Sequence, residues 1–112
     1  MERQKVTAKR SLTEDTEKLL NDQIRMEALS SAAYLSMASW CEMTGYENSA
    51  KFLYMHSEEE RQHMLKLFHY INDAGGHAIQ PDITELKHHF SSLKEVFEEI
   101  LNHEIEVTVS IN

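Results

Sequence analysis

Residues that interrupt helices occur at only three places: Gly45, the pair Gly75-Gly76, and Pro81. Glycine accepts the left-handed backbone that closes many helices, and proline lacks the amide that a helix interior requires. The stretches between these breaks are rich in Leu, Met, Ala, Glu and Lys, which favour helix. An all-α fold follows, cut into segments by the breaks themselves.

The first helix is expected over residues 11–43. Ser11 with Glu14 has the spacing of a capping box, Thr13 is the alternative cap, and the acidic residues nearby suit the positive end of the helix dipole. Thr44-Gly45 closes it. A second helix over 47–74 runs to Gly75-Gly76, and so short a connection makes the two antiparallel neighbours. Residues 75–91, "GGHAIQPDITELKHHFS", form a linker of about 17 residues that reaches about 55 Å when extended. The second helix is about 42 Å long at 1.5 Å per residue, so the linker can run the length of the bundle. Ser92 with Glu95 forms another capping box and opens a third helix over 92–112. Residues 1–10, "MERQKVTAKR", carry basic groups without apolar periodicity and read as a mobile tail. The whole is one domain: an antiparallel pair, a long crossover and a third helix, which are three quarters of a four-helix bundle. Either the chain is a piece of something longer, or another chain covers the face a fourth helix would bury.

Charge narrows the function classes. The formal net charge is −8, from 19 acidic and 11 basic residues; this disfavours nucleic acid, whose binding needs a basic surface, and favours cations. The single Cys41 excludes an internal disulfide and suits a reducing compartment. No apolar run approaches the ~20 residues of a membrane span and no signal core opens the chain, so the cytoplasm is the expected location.

The run "HSEEERQHM" places three glutamates between His56 and His63. At about 100° per residue, Glu60 falls in the apolar stripe with Leu53, His56, His63, Met64, Leu67, Ile71 and Ala74; Glu59 lies at its edge and Glu58 faces away. On the first helix Glu27 sits amid Leu20, Ile24, Ser31, Tyr34, Ala38 and Cys41. On the third, Glu104 sits amid Leu93, Phe97, Ile100, Leu101, Val107 and Ile111. Each helix thus puts one carboxylate into its apolar stripe. Converging carboxylates repel unless a cation lies between them, and oxygen ligands with an imidazole suit iron or manganese. Glu60 and His63, three apart on one face, can grip the same ion.

With these residues in place, the sequence resembles the bacterial non-haem ferritins. The matching pieces are "LNDQIRMEALSSAAYLSMASWC", "FLYMHSEEERQHMLKLFHYI" and "SSLKEVFEEILNHE". The resemblance implies a ferritin-like helical bundle and an iron-oxidising, iron-storing activity at a carboxylate-bridged pair of iron ions. It implies Glu27, Glu60 and His63 as ligands of the first iron, with Glu60 bridging to the second, Glu104 as a ligand of that second iron, and Glu59 as an outer contact. It implies Tyr34 as an electron donor beside the centre. Iron, oxygen or hydrogen peroxide, and a homo-oligomer are the implied partners: a 24-subunit shell for a full-length chain, a dimer or other assembly for a shorter one. Ferritins take further ligands from a fourth helix, so an incomplete centre is expected here. The alternative is a non-catalytic helical interaction module with a vestigial metal site. His56 is expected to be packed rather than a ligand, His103 to lie outside the centre, and His77, His88 and His89 to be exposed in the linker. Trp40, Cys41 and the methionines at 37, 43, 55 and 64 are read as packing residues.

Overall fold

The structure, a computed structural model, describes residues 10–111, with side chains through residue 105. The tail expected over 1–10, save for Arg10, and the side chains of Val107 and Ile111 lie outside the described residues. Three α-helices make up the fold, and the described residues contain no strand: α1 (Glu14–Thr44), α2 (Glu47–Asp73) and α3 (Leu93–Ile111).

Local chemistry sets the helix ends. The N-cap of α1 is Thr13, whose hydroxyl accepts the Thr16 amide at 3.1 Å. Ser11 is therefore not the cap; its amide and hydroxyl both reach the Ala74 carbonyl and tie the entry of α1 to the exit of α2. Gly45, at φ 95°, closes α1: its amide donates to the Glu42 carbonyl, and that of Tyr46 to Cys41. Gly75, at φ 89°, repeats this at the end of α2, with Gly75 bonded to Asn72 and Gly76 to Ile71. Both are paired closures in which two amides satisfy the last carbonyls of the helix. Ser92 caps α3 by accepting the Glu95 amide at 3.1 Å, but the Glu95 carboxylate returns to the amide of Ser91 rather than of Ser92.

Gly76 is needed for a different reason. A Cβ there would lie 2.9 Å from Ile71 Cγ2, 3.0 Å from Glu17 Oε2 and 3.2 Å from Leu12 Cδ1. Ile71 and Leu12 are core residues with little room to yield. Gly76→Ala is expected to destabilise the protein by about 1–3 kcal/mol, the range for overpacking, read as a lower midpoint of urea unfolding.

The crossover is pinned along α1. Glu17 accepts the His77 amide at 2.7 Å, Asn21 accepts the Ile79 amide at 2.9 Å and donates to the His77 carbonyl, and Ser36 donates to the Lys87 carbonyl. From Glu17 to Ser36 is about 28 Å of helix, so the linker does run along the bundle. His77, His88 and His89 are exposed, as expected.

Packing divides into two apolar clusters. One joins Tyr34, Met37, Ala38, Trp40 and Cys41 of α1 to Ala50, Leu53, Phe90 and Val96; the other joins Leu12, Ile24, Ile71 and Ala78. Trp40, Cys41 and Met37 pack as expected, and burial pushes the Cys41 thiol up. Met43 and Met55 do not: both are exposed.

The third helix departs most from its helical wheel. The residues turned toward the core are Leu93, Val96 and Ile100, with Val96 fully buried, whereas Phe97 is 42% and Leu101 62% exposed. Glu104 is likewise exposed rather than central to a buried stripe. The reason lies in the packing: α1 meets both other helices, but no Cα–Cα approach within 8 Å joins α2 to α3 among the described residues. The apolar arc of α3 is wider than its one contact, and the strip through residues 97, 101 and 104 is left beside it.

Candidate metal centre

The interval between the two clusters holds the acidic groups. Along α1, Glu27 lies between Ile24 of one cluster and Tyr34 of the other; along α2, Glu60 lies between Leu53 and Ile71. The helices are held at this level by a reciprocal pair of hydrogen bonds: Ser31 Oγ donates to the Ser57 carbonyl at 2.9 Å, and Ser57 Oγ to the Ser31 carbonyl at 2.7 Å. Small side chains permit that approach, which brings the neighbouring carboxylates together.

Glu27, Glu60 and His63 each offer a ligand atom such that all three lie within 4.8 Å of one another. His63 Nδ1 is 3.7 Å from Glu27 Oε2 and 3.8 Å from Glu60 Oε2. Donor atoms about 2.1 Å from a common ion are separated by roughly 3 to 4 Å, so the spacing suits one ion held by all three. The side chains of Glu27 and Glu60 are 12% and 20% exposed, while His63 is 56% exposed and closes the group from the solvent side.

The electrostatics of this group are unbalanced. Glu27 Oε1 accepts from Gln23 Nε2 at 2.8 Å, but Glu27 Oε2 is buried and accepts no hydrogen bond. A buried oxygen without a partner costs about 1–3 kcal/mol, more when charged. Burial first, then a hydrogen bond that the protonated Glu60 carboxyl shares with Glu27, and the charges of Glu27, Glu104 and Glu59, push the Glu60 carboxyl up to about 8. A divalent cation would satisfy the orphaned oxygen and remove the repulsion together. Two carboxylates with one imidazole fit iron or another hard or borderline ion.

The remaining residues stand around a cavity of about 230 Å³ beside Glu60, bounded by Tyr34, His56, Glu59 and Glu104. Tyr34 donates its phenolic hydroxyl to Glu104 Oε1 across α1 and α3. Burial first, then that bond and the charges of Glu104, Glu60 and Glu27, push the phenol well above its ordinary range, so Tyr34 stays protonated. Glu104 therefore faces the same cavity as Glu60 but is not one of the three clustered groups. Glu59 stands at the rim, 4.0 Å from His56 Nδ1, while His56 packs against Phe52 and Tyr34 with ring centroids 4.4 and 5.7 Å away, as expected of a packed histidine. Glu58 is exposed and engages Arg61 and Gln62. One residue, Gln23, and one cross-bundle bond, that of His103, escaped the sequence reading. Gln23 stands four residues before Glu27, a helical spacing that carried a readable signal. His103, which points away from Glu104 on a helical wheel, bonds to Ser30 across the bundle, and nothing local in the sequence marks that pairing.

Comparison with known proteins agrees with the architecture. Residues 17–112 match the family model of the ferritin-like domain. A probable bacterial non-heme ferritin-like protein of Haemophilus influenzae is 48% identical over 101 residues, covering 90% of this chain and 61% of that protein. The bacterial non-heme ferritin of Campylobacter jejuni is 38% identical over 101 residues, covering 90% of this chain and 60% of its own length. Among solved structures, Chlorobium tepidum ferritin superposes with a TM-score of 0.84 at 37% identity, covering 90% of this chain and 62% of that one. An open pore ferritin from Archaeoglobus fulgidus does so with a TM-score of 0.84 at 31% identity and the same coverage. The chain thus spans about three fifths of the length of these relatives.

Proposed function

The chain belongs to the ferritin-like family, and from that premise we propose that it takes part in iron storage and detoxification by binding Fe(II) and oxidising it to Fe(III). The observation that carries this reading is the buried, unpartnered Glu27 Oε2, set opposite Glu60 and beside His63 at ligand spacing. Glu27, Glu60 and His63 hold the first iron. Glu60 also serves the second, together with Glu104 across the adjoining cavity, and Glu59 at the rim is an outer contact. Each iron gives up one electron, and oxygen or hydrogen peroxide accepts the pair. Tyr34, protonated and bonded to Glu104, stands where it can supply an electron and a proton to the same site. The second position is less complete than the first, since Glu104 is exposed and outside the three-ligand group. Assembly into a homo-oligomer and a cytoplasmic location belong to the same proposal. No helix among the described residues is long and apolar enough to cross a membrane.

A second reading, a non-catalytic helical interaction module, is favoured by the exposed apolar side chains of Phe52 on α2 and of Phe97 and Leu101 on α3. Anaerobic titration with Fe(II), followed by admission of oxygen, separates the two. The wild-type chain is expected to bind iron and develop ferric absorption, and Glu60→Ala to lose both; equal binding and oxidation by the two proteins refutes the assigned centre.

A further inference from the structure

We propose that His103 and Ser30 form a latch that positions Glu104 and Tyr34 for the second metal position. The inference rests on the metal-centre reading above and adds a requirement to it. Ser30 is one of two buried polar residues among those described, the other being Ser57 of the joint between α1 and α2. Its hydroxyl meets His103 Nε2 at 2.5 Å, and the His103 ring stands edge-on to Tyr34 with centroids 5.9 Å apart. One α3 residue therefore meets both the Ser30 hydroxyl, about one turn of α1 beyond Glu27, and the ring of Tyr34, whose hydroxyl bonds Glu104.

Packing alone holds the Glu104 level of α3 loosely among the described residues. The α3 backbone comes within 8 Å Cα–Cα of α1 and not of α2; Val96 joins the cluster with Ala50 and Leu53, and Ile100 lines the cavity, while Leu101, Glu104 and Ile105 are exposed. Lys87 ties the crossover to Glu95 and Glu99, in the first turns. Among the described side chains, the Glu104 end of α3 is joined to α1 by the bonds of His103 to Ser30 and of Glu104 to Tyr34. A carboxylate about 6 Å from a helix axis moves about 2 Å when the helix turns by about 20°. Productive sites tolerate only about 0.5 Å. Breaking the latch also leaves the buried Ser30 hydroxyl without its partner, which resists the turn. His103 and Ser30 are positioning residues: they touch neither metal nor oxidant, and act through Glu104 and Tyr34.

Anaerobic titration with Co(II), followed by calorimetry and by visible absorption, tests the latch without any turnover. The wild-type protein is expected to show a tighter site that is lost in Glu60→Ala and a weaker one that is lost in Glu104→Ala. His103→Leu and Ser30→Ala should each weaken the second site by about 10- to 100-fold, the usual effect of removing an outer-shell partner, and leave the tighter site within about twofold. The double variant should be no weaker than the worse single one, because both remove one interaction, and His103→Gln, which keeps a donor at similar reach, should restore most of the affinity. Ser30→Ala alters the opposite helix, so the test survives a failure of either single variant to fold. Unchanged second-site affinity in both singles, while Glu104→Ala loses it, overturns the latch and leaves the metal centre standing. So does a loss that falls equally on both sites and follows the melting temperature. Absence of any Glu60-dependent Co(II) site in the wild type overturns the metal centre, and the latch with it.

Discussion

Glu60→Gln is expected to raise the melting temperature of the metal-free protein at pH 8 while removing the stabilisation that a divalent cation gives the wild type. In the folded, metal-free chain the Glu60 carboxyl is held up to about 8, chiefly by burial and then by Glu27, Glu104 and Glu59, against 4.5 for a free side chain. His63 is the only imidazole of the three clustered groups, and it is more than half exposed. The native state thus binds the proton more tightly than the unfolded state. Wild-type stability is retained below about pH 4.5 and falls as pH rises toward about 8, by at most ~1.4 kcal/mol per pH unit. Glutamine keeps the shape without the charge, so the gap between variant and wild type should open over this interval to a few kcal/mol and vanish at pH 4. Added Fe(II) or Co(II) under anaerobic conditions should reverse the order at pH 8, since a cation bound only by the native state stabilises it. Thermal melts of both proteins at pH 4, 6 and 8, with and without metal, read the effect. Parallel pH profiles would mean that Glu60 is not desolvated among carboxylates.

Leu53→Ala should cost about 2–5 kcal/mol, a large share of the roughly 5–15 kcal/mol that stabilises an ordinary domain. Leu53 is fully buried, packs in the cluster that contains Tyr34 and Val96, and forms part of the wall of the cavity beside Glu60. Its truncation leaves a void that three helices cannot close without moving Tyr34. The urea midpoint should fall with little change in the slope of the transition. Leu101→Ala makes the contrast: the same chemical change at an exposed position is expected within about 0.5 kcal/mol of wild type. Comparable losses at Leu53 and Leu101 would show that α3 buries the wider stripe its helical wheel outlines.

Much of this molecule is local in origin and so is readable in the sequence. Gly45 and Gly75 end helices because their own amides, and those of the next residues, must take up the last carbonyls with a positive φ. Glu27, Glu60 and His63 meet because residues at helical spacing share a face, and a short turn makes that face meet its neighbour. Ser11 was less readable, since Thr13, two residues on, offers the same chemistry and holds the cap geometry.

The apolar stripes, the helix ends and the identity of the carboxylate-bearing faces were determined by the order of residues alone, because each depends on backbone chemistry within a few positions. Only the tertiary structure decided how far each face is covered. It turned α3 so that Val96 entered the core while Phe97, Leu101 and Glu104 stayed outside it, paired His103 with a buried serine 73 residues away, and left Glu27 Oε2 without a hydrogen-bond partner. Helical periodicity gives a direction around one axis, whereas burial depends on which neighbours stand in that direction and how closely they approach.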